Sequence, residues 1–118
     1  MKYTHYLAYV DEAKNYESAA ALLAEYGYPP DCRLSPDNLV KAFDIIWAVS
    51  KGDFAALTGS NRAAFARKFS IPSRSLQNWE LGTREPPEYI LQMIGYILIS
   101  ELIDVDASAK REVFESLF

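Results

Sequence analysis

The chain has 118 residues, of which 50% are hydrophobic and 24% charged, as expected for one folded domain. Because Cys32 and His5 are the single cysteine and the single histidine, composition excludes an internal disulfide bond and a zinc site of cysteine and histidine ligands. The formal net charge of −4 argues against binding nucleic acid, unless the basic residues are clustered.

The first segment, residues 3–26, is predicted to form one long amphipathic helix. Six tyrosine, alanine and leucine residues recur at spacings of three and four, which places them on one face. They are Tyr6, Tyr9, Ala13, Tyr16, Ala20 and Leu23. Gly27 and the two prolines that follow Tyr28 are predicted to end this helix.

A second helix is predicted from Pro36 to about Ser50, with Ser35 as its N-cap. Apolar residues cover more than half of its circumference, which is typical of a helix in the centre of a core. Gly52 is predicted to end it, and Asp53 to cap a short helical turn.

Two short helices are predicted next, at 62–69 and 73–80, joined by a turn of three residues. Ser60 or Asn61 is the expected cap of the first helix and Ser73 that of the second. Two helices of about eight residues with so short a connection have the geometry of a helix-turn-helix.

The packing of this pair is also predicted. Ala66 is expected where the helices cross, because a small side chain lets their axes approach, and Ile71 is expected to fill the space below the crossing. The predicted core consists of Phe65, Ala66, Phe69, Ile71, Leu76 and Trp79. Polar side chains then face outward from the second helix, as a helix inserted in the major groove requires. They are Ser73, Arg74, Ser75, Gln77 and Asn78.

After a proline-containing loop, a helix is predicted from about Glu88 to Ile103, followed by a short helix capped by Asp106. The apolar side of this last short helix would be formed by Val113, Phe114, Leu117 and Phe118. No strand pattern or internal repeat is visible. The predicted fold class is therefore all-α: a compact bundle of five to seven helices that contains a helix-turn-helix, with an extra N-terminal amphipathic helix.

The basic residues are concentrated in the predicted helix-turn-helix. Residues 59–85 contain five basic and two acidic residues, whereas the other 91 residues contain seven basic and fourteen acidic. This local excess of positive charge is the electrostatic pattern of a DNA-binding surface, although the chain as a whole is acidic.

Residues 61–87 resemble the Xre/Cro family of phage-repressor-like DNA-binding domains. The shared features are a small-residue first helix, a turn and a polar recognition helix that ends in aromatic-Glu-x-Gly, before a basic residue and proline. Here that ending is Trp79-Glu80-Leu81-Gly82, followed by Arg84 and Pro86. The resemblance extends over about 39–102 and implies a bundle of five helices. Ser70 opens the turn, where the family commonly has glycine, so we expect either an unusual backbone conformation at Ser70 or a slightly different turn.

The resemblance also implies functional positions. Those that face the bases are Ser73, Arg74, Ser75, Gln77 and Asn78, and those that meet the DNA backbone are Arg62, Thr83, Arg84 and Lys68. Arg74 can pair with guanine, and Gln77 or Asn78 with adenine. Because one recognition helix makes few base contacts, we expect a homodimer on a palindromic site in double-stranded DNA, acting as a transcriptional repressor. Residues 35–105 would be the DNA-binding domain, residues 1–34 a packing, partner or dimer element, and residues 106–118 a short helix.

Two other functions stay open. The chain can be an antitoxin or mobile-element regulator that also binds a partner protein, such as a toxin, through its N-terminal helix. Tyrosine is enriched at such interfaces, but the same tyrosines can simply cover the core of the bundle. Alternatively, the chain is a protein–protein adaptor that has kept the fold and lost DNA binding.

No pattern predicts an enzyme, a cofactor or a metal site. The chain has no glycine-rich phosphate loop, nucleophile elbow or paired-carboxylate site. The longest apolar run, 89–103, is interrupted by Gln92 and Glu101 and is shorter than the roughly 20 residues that span a bilayer. The N-terminus lacks the apolar core of a secretory signal, so we expect a cytoplasmic protein without membrane contact.

Overall fold

The computed structural model describes residues 1–29, 33–59 and 61–116, of which 110–116 are described as backbone alone. Over these ranges the chain is all-helical, and the predicted all-α bundle is confirmed. Its seven helices are α1 (Tyr3–Ala13), α2 (Ala19–Tyr26), α3 (Pro36–Lys51), α4 (Phe54–Thr58), α5 (Arg62–Lys68), α6 (Ser73–Leu81) and α7 (Glu88–Ser116).

Helix α3 lies at the centre and packs against α1, α2, α4 and α7. Phe43 and Ile46, on α3, are almost completely buried. The Ser35 side chain caps α3 by accepting a hydrogen bond from the Asn38 backbone N–H, 3.3 Å away. At the other end Gly52 adopts a left-handed conformation, with φ of 67°, which a glycine adopts without steric cost. The predicted ends and central position of this helix are confirmed.

The prediction of one N-terminal helix over residues 3–26 is wrong. α1 ends at Ala13, and α2 starts after Ser18, whose hydroxyl accepts a hydrogen bond from the Ala21 N–H. The break also changes which residues face the core. Leu22 is fully buried on α2, whereas Ala20, which the predicted stripe included, is exposed. Two short helices therefore cover α3 where one long helix was expected.

The prediction of a separate short helix after residue 103 is also wrong, because α7 continues without interruption to Ser116. Neither glycine nor proline occurs between Tyr96 and Ser116 to stop it. The Asp106 carboxylate accepts hydrogen bonds from the Ser35 backbone N–H and the Asn38 side-chain amide, both 2.8 Å away. Asp106 therefore caps the start of α3 and not a helix of its own. The predicted apolar side at Val113, Phe114, Leu117 and Phe118 lies outside the described side chains, and Ser60 and Cys32 lie outside the described residues.

Helix α7 passes very close to α1 and α3 at Gly95. A methyl group added there would come within 2.6 Å of a Val49 methyl carbon and closer still to the Tyr6 hydroxyl. Tyr6 is fully buried against the rings of Tyr3 and Tyr96, and its hydroxyl has no hydrogen-bond partner among the described residues. Burial raises the pKa of this tyrosine above its ordinary value. A larger residue at this crossing would force Tyr6 and Val49 to move, so glycine is strongly favoured there.

Candidate nucleic-acid interface

Helices α5 and α6, joined by a short turn, lie at the positions predicted for the helix-turn-helix. Asn61 caps α5 by accepting a hydrogen bond from the Ala64 N–H at 3.0 Å. Phe65 and Ala66 on α5 and Leu76 on α6 are buried, and the Ile71 N–H in the turn donates to the Ala66 carbonyl at 2.9 Å. The turn is therefore fastened to the first helix by its backbone, and the two helices meet through small and apolar side chains.

Ser70 opens the turn in a left-handed conformation, with φ of 54°. It is the one non-glycine residue with positive φ in the described part of the chain. L-residues avoid this region because the β-carbon crowds the backbone, which is why glycine is common there. The expectation of an unusual conformation at Ser70 is confirmed.

Aromatic contacts anchor the pair to the rest of the bundle. The ring of Phe54 on α4 lies edge-on to Phe65 at 5.7 Å and to Trp79 at 5.2 Å between centroids. Phe65 also contacts Phe69, at 4.8 Å. Phe69, Ile71 and Trp79 are half-buried, so three of the six predicted core residues keep part of their surface open. Edge-to-face contacts bury apolar surface and also favour one relative orientation of the two rings, so these contacts fix the direction of α6.

The start of α6 differs from the prediction. Ser73 is the first residue of the helix, the N-cap position is occupied by Pro72, and no side chain caps the helix. The prediction that Ser73 caps α6 is wrong, because proline has no side-chain acceptor to offer and the serine lies one position too late. As a consequence, the exposed Ser73 hydroxyl is not used in a cap.

The outer face of α6 presents three of the predicted base-facing residues. Ser73, Arg74 and Gln77 are exposed, whereas Ser75 and Asn78 are half-buried. Leu81 lies one turn after Gln77 on the same face and is 68% exposed. Sequence reasoning did not assign Leu81 a role, although an apolar side chain at this position can contact a thymine methyl group.

Asn78 and Thr83 are joined at the end of α6. The Asn78 carbonyl accepts hydrogen bonds from the Thr83 N–H at 3.0 Å and from the Thr83 hydroxyl at 3.1 Å. The Asn78 side-chain oxygen is also 3.3 Å from that hydroxyl. Gly82, with φ of 74°, makes this return possible. These two predicted contact residues therefore hold the loop that carries Arg84, which itself is exposed.

Two of the predicted phosphate-contacting residues form ion pairs with carboxylates. Arg62 lies 2.5 Å from Glu80 and ties the start of α5 to the end of α6. The Glu80 side chain is 11% exposed, and its second oxygen is buried without a partner in the described structure. Arg62 itself is 62% exposed, so the guanidinium keeps N–H donors at the surface. Lys68 pairs with Glu101 on α7, at 2.5 Å.

The other three basic residues of the segment have no carboxylate partner among the described residues. They are Arg67, Arg74 and Arg84, and all three are exposed. Arg67 was not assigned a contact from the sequence, although it belongs to the same basic cluster. With Glu80 neutralised by Arg62, these arginines leave the surface of the helix-turn-helix with a net positive charge, opposed locally by Glu85.

The tyrosines of the N-terminal segment pack on the bundle. Tyr6 is buried, and Tyr9 lies edge-on to Phe43 of α3, with 5.8 Å between ring centroids. Tyr26 contacts Tyr9 and Tyr16, and is partly exposed. These contacts fit the interpretation in which the tyrosines cover the core.

Comparisons with protein-family models, with curated proteins and with solved structures found no match. Among the described residues, no group of three or more histidine, cysteine, aspartate or glutamate side chains is placed to hold a metal ion. Within the same ranges, no helix is both long enough and apolar enough to cross a membrane.

Proposed function

We propose that this chain is a transcriptional regulator, acting as a repressor, that binds double-stranded DNA by placing α6 in the major groove. The observation that carries the proposal is the outer face of α6, where Ser73, Arg74 and Gln77 are exposed. The neighbouring Arg67 and Arg84 are also exposed and have no carboxylate partner among the described residues. These side chains have the donors and acceptors that distinguish base pairs in that groove.

Each part of the surface has a distinct task in this proposal. Arg74 binds guanine through two hydrogen bonds, and Gln77 binds adenine in the same way. Arg84 and the exposed donors of Arg62 bind phosphates and set the depth and direction of α6. The Arg62–Glu80 pair keeps the two helices in register, so that the phosphate contact at α5 and the base contacts at α6 occur together.

The acidic remainder of the chain contributes to selectivity. Outside residues 59–85 the balance is seven basic to fourteen acidic residues, which repels phosphate over most of the surface. Non-specific affinity is almost entirely electrostatic, so it is weakened more than affinity for a site read by base contacts. Repression follows when the protein occupies promoter DNA, and it requires no chemical step.

The test is selection of bound duplexes from a random DNA pool at about physiological salt, where specific and non-specific binding separate. The expected result is a two-fold symmetric motif. Arg74→Ala should then lower affinity for that motif by about 1–3 kcal/mol and relax one base position. Arg84→Ala should weaken binding to all sequences alike and reduce the salt dependence by about one ion.

Arg33→Ala is the matched control, because Arg33 is exposed and lies outside the helix-turn-helix. It should change neither affinity nor sequence preference. If no motif is recovered, or if Arg74→Ala behaves like Arg33→Ala, α6 does not read DNA and the adaptor function is favoured instead.

A further inference from the structure

Helix α7 carries an exposed apolar ridge beside the helix-turn-helix. Tyr89, Met93 and Ile97 are 61%, 52% and 41% exposed, and their spacing of four places them on one stripe of the helix. The ridge is about 12 Å long, from a rise of 1.5 Å per residue. Large apolar side chains in a row are unusual on the surface of a monomer and mark an interaction surface.

An apolar groove runs alongside this ridge, between α7 and the turn of the helix-turn-helix. Its volume is about 340 Å³, and its far wall is formed by Phe69, Ile71, Pro72 and Trp79. None of the residues that line it is charged, and the side-chain hydroxyls among them belong to Ser70 and Tyr89. The groove explains why Phe69, Ile71 and Trp79 are only half-buried although they belong to the predicted core.

We propose that this face binds a second copy of the chain, with the two α7 helices antiparallel and crossing at Met93. In a two-fold dimer the same surface meets itself, so it must be self-complementary. A ridge next to a groove meets that condition, since the ridge of each copy enters the groove of the other. An interface without charged residues also avoids placing like charges opposite each other at the axis. The inference rests on the proposed function, which requires two copies to read a symmetric site.

The interface leaves the DNA-reading face free. Trp79, in the wall of the groove, projects from the side of α6 opposite to Gln77, because two residues along a helix amount to about 200° of rotation. Arg74 is likewise exposed outside the groove. A copy docked on α7 therefore leaves Arg74 and Gln77 uncovered.

The area of the ridge determines how strong the dimer is. From the exposed fractions and the 150–250 Å² that a large aromatic side chain can bury, the three ridge residues offer roughly 300 Å² per copy. A standard stable interface buries about 800 Å² per partner, so this dimer belongs to the weak class. The protein is expected to be mainly monomeric when dilute and to pair at high concentration or on a symmetric DNA site.

The test is disulfide cross-linking at the proposed axis, where each residue meets its own copy. In a Cys32→Ser background, Met93→Cys should form a covalent dimer under mild oxidation at least ten times faster than Val105→Cys. Val105 is the matched control because it is an exposed apolar residue of the same helix that lies outside the ridge and groove. Met93→Glu in the otherwise unchanged chain should abolish self-association in sedimentation at several hundred micromolar, with its helical content retained.

Cross-linking without DNA and selection of a DNA motif give independent results. A symmetric motif together with equal cross-linking rates at 93 and 105 would keep the DNA function and overturn this interface. Rapid cross-linking at 93 without any motif would keep the interface and reject the DNA function. If the unmodified chain stays monomeric at all concentrations and instead binds an apolar dye that Met93→Glu excludes, the groove is a small-molecule site and the dimer proposal fails.

Discussion

Replacing Ser70 by glycine is expected to stabilise the protein. Ser70 holds a left-handed conformation, with φ of 54°, which costs an L-residue about 1–2 kcal/mol relative to the right-handed region. Glycine avoids that cost but loses about 0.5–1 kcal/mol more conformational entropy on folding. The Ser70 side chain is exposed and makes no hydrogen bond among the described residues, so little else is lost. The net expectation is a gain of roughly 0.5–1 kcal/mol in the free energy of unfolding.

Thermal and urea unfolding, followed by circular dichroism, measure this gain. For a chain of this length it corresponds to a rise in Tm of about 2–4 °C. Ser70→Ala should not be stabilising, because alanine keeps the β-carbon that causes the strain. Ser108→Gly is the matched control, since Ser108 is an exposed residue inside α7, where glycine should lower stability by about 0.5 kcal/mol.

The result that would refute the reasoning is Ser70→Gly with stability equal to or below that of the unmodified protein, while Ser108→Gly behaves as expected. The left-handed conformation would then carry no strain in this turn. Because the substitution leaves α6 and its side chains unchanged, DNA affinity should be the same in both proteins, which separates turn energetics from recognition.

Three further predictions concern the bundle. Gly95→Ala should destabilise the protein by about 1–3 kcal/mol through overpacking. Tyr6→Phe should recover part of that loss in the double variant, because it removes one of the two atoms that would lie within roughly 3 Å of the new methyl group. Burial raises the pKa of Tyr6, so the unfolded tyrosine ionises at a lower pH than the folded one. The stability that follows is fully present below pH 10 and is lost as the pH rises above 10. Tyr6→Phe should reduce that decline by up to about 1.4 kcal/mol per pH unit in urea titrations. Asp106→Ala should lower the free energy of unfolding by about 1–2 kcal/mol, because it removes the acceptor at the start of α3. Asp104→Ala, at an exposed position, is the control and should change the free energy of unfolding by less than about 0.5 kcal/mol. Equal effects of the two substitutions would mean that the cap contributes nothing.

The elements predicted correctly are those whose ends carry a local chemical signal. Ser35-Pro36 and Gly52 fix α3, Asn61 fixes the start of α5 and Gly82 the end of α6, because each of these residues acts on its own backbone neighbours. The unusual conformation of Ser70 follows from the resemblance, which implies glycine at that position. Local signals of this kind are visible in one sequence without knowledge of the fold.

The errors arose where a residue acts across the structure. Asp106 has the form of a helix cap, but it serves the start of α3, where its hydrogen-bond partner Ser35 lies 71 residues away from it along the chain. Ser18 does cap a helix, but a regular stripe of tyrosine, alanine and leucine residues continues on both sides of it and conceals the break. In the candidate site, the pairing of Arg62 with Glu80 and of Lys68 with Glu101 depends on how the helices pack. Counting charges along the sequence therefore predicts that the surface is positive, but not which of its cations have a carboxylate partner.

The hydrogen bonds of Asp106 also bear on the order of folding. Closing a loop becomes more costly with its length, by about 0.6 kcal/mol for each doubling, and the Ser35–Asp106 contact closes 71 residues. The contacts of Phe54 with Phe65 and Trp79 close much shorter loops, within residues 54–79. The helix-turn-helix is therefore expected to assemble early and the start of α3 to be fastened late. In the folded protein, amide hydrogen exchange at Leu39, whose N–H bonds to the Ser35 carbonyl, should accordingly report brief opening of this end while the helix-turn-helix stays closed.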